Sequence, residues 1–387
     1  AASQTDDSPV DVLAEVSNAA RKQELESWGI GTTQLQDFCD STHFRVFTPG
    51  SSAGEMLHIL SSLECPSDRW QTDVESARDA LCAAVSLVLR LLGRDPDPAK
   101  SKEHVLLSVL AERRLVEGQP ATLESLLEDL AAPPVEKIGA LELEDFIGKN
   151  DRKALAAALN TLLASPTFAT WRQGTSLNVG QWLSPVHGRT SGVIVSVAHL
   201  DDEERALVLG VLLQEVLSWV RTLSGSSKLR ALVVFDEVYG YLPPHPANPP
   251  TKRPLVALMK QARAFGVGVI LATQNPMDLD YRALGNAGMW CIGRLQTDAD
   301  CRRVLDGLAS DEKVDSQDLG KIIKQLTTRW FVMRDVHGKH GTILLKARTT
   351  MSLLRGPMIR AEITEAMKLQ EQGVKEQAEA AIQQCLE

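Results

Sequence analysis

The sequence contains no uninterrupted apolar run of the roughly 18 residues that a membrane-spanning helix requires. Cysteines are few as well. The six of them, at positions 39, 65, 82, 291, 301 and 385, show neither CxxC spacing nor pairing with histidines. That pattern argues against a zinc site and a disulfide framework, and it leads to the expectation of a reducing cytoplasm. Aromatics make up only 5% of the chain, too few for an aromatic-packed β-sandwich. Positive charge is also scarce: the net charge is −9, so any contact with nucleic acid would need a local basic surface or a ring of subunits. The opening residues AASQTDDSPVD lack the charged-then-apolar pattern of a secretory signal and lack a starting methionine, so the chain is expected to begin inside a longer protein.

What is present is ordinary soluble-protein material, 44% hydrophobic and 24% charged over 387 residues, enough for two or three domains. From about Asp11 to Ala164 the pattern is helical. VDVLAEVSNAARKQELESWGI and ESARDALCAAVSLVLRLLG carry apolar residues at three- and four-residue steps. In the second, Ala80, Leu81, Val85, Val88 and Leu92 form one stripe, and Gly93 is placed to stop it. KALAAALNTLLAS (153–165) reads as a further helix, and HFRVFTPG (43–50) as the one strand-like exception.

After about residue 190 the character changes. GVIVSVAHL (192–200), LRALVVFDEV (229–238), VGVILATQ (267–274), MWCIGRL (289–295), TRWFVMRD (328–335) and GTILLKA (341–347) are short and β-branched. Their near-continuous apolar character predicts strands covered on both faces. Helical patterns at 201–225 and 254–266 alternate with them, the second with Pro254 at its first position. Such alternation predicts parallel strands with right-handed crossovers, an α/β sheet whose ligands bind beyond the carboxyl ends of the strands.

Asp236 and Glu237 stand at such an end, directly after LVVF. An aspartate there can hold Mg²⁺ through water, and a following glutamate can polarise the water that attacks a γ-phosphate. The plainer alternative is an acidic turn. Thr273 and Gln274 end the next strand, where a glutamine can reach the attacking water or the γ-phosphate; the alternative there is ordinary strand-end hydrogen bonding.

The run FDEVYGYLPPHPANPPTKRPLVALMKQARAFGVGVILATQNPMDLDYRALGNAGMWCIGRLQTDADCRRVLDGL resembles the ATPase core of the HerA/FtsK superfamily, and more narrowly bacterial HerA-type helicases. The DE pair, the ARxxGVGxxLATQNP block and the GRLQTxxD block stand in family order, and weaker likeness extends over residues 28–360. The resemblance implies a RecA-like three-layer, mostly parallel sheet with a large all-helical insertion. It implies ATP and Mg²⁺ as cofactors and a hexameric ring acting on DNA or another polymer. Asp236 would serve the metal through water, Glu237 would activate water, and Gln274 would sense the phosphate, with Thr273 beside it. Arg263 and Arg294 are candidates for a finger into the neighbouring subunit, each with a surface or interface salt bridge as its alternative.

One family element is missing: no GxxxxGK[ST] string occurs in the chain. TPGSSAGEM (48–56) has neither the lysine nor the hydroxyl and reads as a structural turn. The central phosphate-loop strand is therefore expected outside this chain, which alone would be inactive. The expected domains are residues 1–170 as the helical insertion, 190–348 as the ATPase core and 349–387 as a helical tail. Two rival readings remain: a non-catalytic scaffold that keeps the fold, and a type IV secretion-like ATPase that moves protein. LPPHPANPPTKRP (242–254), with six prolines in thirteen residues, predicts a stiff arm. Its Lys252 and Arg253 would lie either near a phosphate backbone or on a plain surface connector. His199 is expected as a satisfied loop residue, and Arg302 and Arg303 as a solvated helix face.

Overall fold

A computed structural model describes residues 10–274, 279–280, 285–308, 316–336, 341–347 and 361–368. The chain opens with helices α1 (Val10–Ser27) and α2 (Thr32–Ser41), then strand β1 (Thr42–Phe47). Helices α3 (Val74–Leu91), α4 (Lys102–Val116), α5 (Leu123–Ala131) and α6 (Lys149–Ala164) follow. Strands and helices then mix: β2 (Thr190–Val195), α7 (Asp202–Thr222), β3 (Ala231–Phe235), α8 (Lys252–Gln261) and β4 (Val267–Leu271). The described part of the chain ends with β5 (Met289–Ile292), α9 (Asp298–Leu308), α10 (Ser316–Gln325), β6 (Trp330–Asp335), β7 (Thr342–Lys346) and a helical stretch at 361–368. The architecture is mixed α/β, and the chain divides into two compact units. One comprises Ala1–Phe44, Ser184–Gly192 and Gly288–Met358; the other comprises Arg45–Leu183, Val193–Ala287 and Ile359–Glu387.

In the larger unit helices α3, α4 and α5 start where their sequence caps them. Asp73 accepts a hydrogen bond from Ser76 N at 3.1 Å, Ser101 from His104 N at 3.2 Å and Thr122 from Ser125 N at 3.2 Å. Of the predicted α3 stripe, Ala80, Leu81, Val85 and Val88 are in the core, whereas Leu92 follows the last helical residue and is half-buried. Gly93 takes a positive φ of 68° and ends that run. Helix α7 opens on a capping box, Asp201 with Glu204, and is buried along most of its length. Leu207, Val208, Val211 and Leu212 join the helical core, whereas Leu213, Leu217 and Val220 join the core under β3 and β4. Two polar ties fix α7 further: Ser76 Oγ to Ser218 Oγ at 2.6 Å, and Arg69 Nη1 to Glu215 Oε2 at 2.6 Å.

Strands β3 and β4 pair in parallel with Ala231 opposite Val267 and Phe235 opposite Leu271. Ala231, Val233, Phe235, Val267, Val269 and Leu271 pack against the core that includes α7 and α8. The other face is open: Leu232 is 50% exposed, Val234 62% and Ile270 47%. The expectation of strands covered on both faces is thus corrected to one face, because a continuous run of branched apolar residues carries no alternation to separate the two cases. Helix α8 begins at Lys252 rather than at Pro254. A proline third in a helix is tolerated, since no N–H of the first turn has an intrahelical partner. After Gln261 the chain tightens into a 3₁₀ turn, Ala262–Phe265, and reverses at Gly266 (φ 74°), where a Cβ would lie 2.3 Å from the Lys228 carbonyl.

The smaller unit holds an antiparallel sheet, β7-β6-β5, with Val332 opposite both Ile292 and Leu344. The connection between β6 and β7, residues 336–341, is too short for a crossover, so the pair is antiparallel. Ile292, Val304, Leu319, Ile323 and Val332 form its core. Among the described residues the strands fall into separate short sheets, with β1 paired to β2, so the expected mostly parallel arrangement is seen in β3–β4 and in a two-residue pair, Leu57–His58 with Thr175–Ser176. Of the expected tail helix, residues 361–368 are helical, with Thr364 Oγ1 donating to the Ala53 carbonyl at 2.8 Å. The remainder lies outside the described residues.

Candidate functional site at the carboxyl ends of two parallel strands

The β3–β4 ladder continues past both strands. Ala272 N donates to the Phe235 carbonyl and Val238 N to the Ala272 carbonyl, each at 2.9 Å. This extension holds Asp236 and Glu237 on one side, and Thr273 and Gln274 on the other, at a common rim. Glu237 adopts a left-handed backbone conformation, φ 52°, which costs a non-glycine residue about 1 kcal/mol. Its N–H donates to Asp236 Oδ1 at 3.0 Å, and Gln274 Nε2 donates to its Oε1 at 3.0 Å. Asp236, Glu237 and Gln274 are exposed, Thr273 is half-buried, and Val238 beneath them is fully buried. The rim therefore combines exposed polar tips with an anchored backbone.

The donor set suits a magnesium ion only in a particular way. Asp236 supplies one exposed carboxylate with the Thr273 hydroxyl on the adjoining strand, and among the described residues no three metal-ligating side chains converge. Mg²⁺ that takes its other ligands from water and phosphate oxygens needs no more than this.

Of the remaining candidates, Arg263 lies apart from the doublet within the same unit. Arg263 is exposed in the 3₁₀ turn before β4, so the five residues of β4, about 16 Å, separate it from the Gln274 end of the same strand. Arg294 was expected to end a strand; β5 stops at Ile292, and Arg294 is exposed in the following coil, in the smaller unit.

The proline-rich arm is docked rather than free. Leu242 and Thr251 are fully buried, and Thr251 Oγ1 donates to the Tyr241 carbonyl at 2.7 Å. Pro250 sits on Gly210 of α7, where a Cβ would come within 2.7 Å of its ring. Lys252 Nζ pairs with Asp280 Oδ2 at 2.8 Å and donates to the Ala247 carbonyl at 3.2 Å, both side chains 13% exposed, so this ammonium is committed within the fold. Arg253 is exposed. The TPGSSAG loop is a packed turn: Thr48 Oγ1 donates to the Ser51 carbonyl at 2.9 Å and accepts from Gly54 N at 3.0 Å. His199 Nε2 donates to the Pro49 carbonyl at 2.7 Å, a satisfied loop residue. Arg302 is exposed on α9, with Nε 3.3 Å from the Asp298 carbonyl; the side chain of Arg303 lies outside the described residues.

Sequence reasoning missed three features of this region: the left-handed Glu237, the direct Gln274–Glu237 contact and the Lys252–Asp280 pair. The first has no signal in a sequence without glycine at that position. The others join residues 37 and 28 apart, beyond the reach of local pattern.

No family model and no curated protein sequence matches the chain. Among solved structures it is similar to the genome packaging NTPase B204 from Sulfolobus turreted icosahedral virus 2 in complex with ATP-gammaS, at 18% identity, over 45% of this chain and 72% of that chain, with a TM-score of 0.29. It is similar to VirB4 of Thermoanaerobacter pseudethanolicus at 12% identity, over 82% and 84%, TM-score 0.49. It is also similar to the plasmid coupling protein TrwB in complex with ADP and Mg²⁺ at 13% identity, over 81% and 76%, TM-score 0.46.

Proposed function

We propose that this polypeptide belongs to a RecA-like ATPase of the HerA/FtsK type and contributes its Walker B and sensor edge. The reaction is hydrolysis of ATP with Mg²⁺, coupled in a ring of subunits to movement of DNA. The observation that carries the reading is the convergence of Glu237 and Gln274 at the carboxyl rim of two parallel strands, with Glu237 held in a costly backbone conformation. Strain of that kind persists where the surrounding structure holds it in place, and it concentrates at functional sites.

In this reading Glu237 Oε accepts the proton of the attacking water, and Asp236, with Thr273, faces the metal–phosphate side. Bound Mg²⁺ would neutralise charge on the phosphate oxygens. Gln274 lies within reach of both the base and the transferred group. Arg263, on the far side of β4 from its own rim, suits a finger offered to a neighbouring subunit better than a role in its own site. Arg294 remains the second candidate for that role. The helical residues up to about 170 are proposed as an insertion in the ATPase domain, and the segment after 348 as a helical tail. The phosphate-gripping loop would be supplied from outside these 387 residues.

The test is Glu237→Gln in the full-length protein. ATP binding should persist while turnover falls by at least about 100-fold, the usual contribution of a positioned general base. Unchanged hydrolysis would remove Glu237 from the mechanism. Failure of the unaltered full-length protein to bind ATP would select a non-catalytic scaffold.

A further inference from the structure

Glu237 has little backbone freedom. Its N–H is spent on Asp236 Oδ1, the next residue is tied to the Ala272 carbonyl, and its own φ of 52° directs the side chain from a conformation that few residues adopt. Only the side-chain torsions remain to be set, and the Gln274 amide meets the carboxylate at 3.0 Å. An amide nitrogen carries two N–H donors. One of them engages Glu237 Oε1, which leaves the same amide a second donor.

We infer that Gln274 is a positioning residue for Glu237: it orients the carboxylate towards the attacking water, over and above any contact of its own with phosphate. This rests on the ATPase reading above and assigns to the glutamine a second task within the same site. A residue that merely touched phosphate would chiefly influence nucleotide affinity. One that aims the base influences the chemical step.

The experiment compares the full-length wild-type protein with Gln274→Met, which keeps side-chain length and removes both donors. Steady-state hydrolysis of MgATP is measured, together with the ¹³C resonance of the Glu237 carboxyl, assigned by its loss in Glu237→Gln. Loss of one orienting hydrogen bond should lower kcat about tenfold with KM for ATP changed less than about twofold. The carboxyl resonance should shift between wild type and Gln274→Met with no nucleotide added. A rise in KM at unchanged kcat, or an unmoved resonance, overturns the positioning role while wild-type turnover keeps the ATPase reading intact. A wild-type protein that hydrolyses no ATP defeats that reading and this role with it, and the wild-type rate tells the two failures apart.

Discussion

Replacing Arg69 by methionine tests how the helical region is held to α7. Glu215 is buried, its side chain 2% exposed, and among the described residues Arg69, with Nη1 at 2.6 Å and its side chain 25% exposed, is the cation paired with it. Burial pushes the Glu215 carboxyl above the ordinary glutamate range, and the Arg69 guanidinium draws it part of the way back. Removing a partner from a buried pair costs about 3–5 kcal/mol, and the partial exposure of Arg69 sets the expectation at the lower end, about 3 kcal/mol near pH 7.5. With Arg69 gone, the folded chain holds the Glu215 proton to still higher pH. A carboxyl raised in the folded state stabilises most below its unfolded value, and that stability is lost as pH rises through the folded value. The cost of Arg69→Met should therefore shrink to about 1 kcal/mol near pH 3, well below the unfolded glutamate value, where Glu215 is neutral in the folded and the unfolded chain alike. Differential scanning calorimetry across this pH range reads the effect as a melting shift of roughly 6–10 °C at the alkaline end. Arg69→Met with Glu215→Leu should recover to within about 1 kcal/mol of wild type, because no charge then remains buried. A cost that stays constant across pH, or a double variant as weak as the single one, would refute the argument.

Substitutions at two further positions, His104 and Glu237, have expected outcomes of their own. His104 is buried, with Nε2 at 3.0 Å from Ser86 Oγ and Nδ1 at 3.3 Å from Ser108 Oγ, and burial holds its pKa below the usual histidine value. A depressed histidine stabilises above its unfolded pKa, near 6.5, and that stability drains away as pH falls. His104→Leu should cost about 1–2 kcal/mol at pH 7.5 and flatten the decline below pH 6.5 in urea titrations; an unchanged pH slope would exclude His104 as its source. At the rim, Glu237→Gly should be more stable than Glu237→Ala by about 1 kcal/mol, the reverse of their order in a helix, since glycine alone accepts a positive φ freely. Equal urea midpoints for the two variants would show that the left-handed backbone carries no strain.

The sequence exposes most of the helices and strands because their residues repeat with a period that burial enforces. The α3 stripe is the clearest case, whereas the caps at Asp73, Ser101 and Thr122 are seen only in the structure. The acidic doublet is legible as a strand end, since LVVF precedes it directly. Other properties depend on partners distant in sequence. The open face at Leu232, Val234 and Ile270 cannot be told from a covered one by composition, because the same branched residues would serve in either place. Lys252 reads as a free cation until Asp280 folds back against it. Arg294 reads as the end of a strand because GRL continues the apolar run, yet ladder pairing stops at Ile292 opposite Val332.

The seat of Pro250 on Gly210 limits how the rim can be rebuilt. A methyl group at 210 would lie 2.7 Å from Pro250 Cβ, so the proline or the helix would have to shift. Helix α7 is therefore the fixed bed against which the loop beyond the doublet is cast. One hydrogen in place of a side chain decides how close the two can lie.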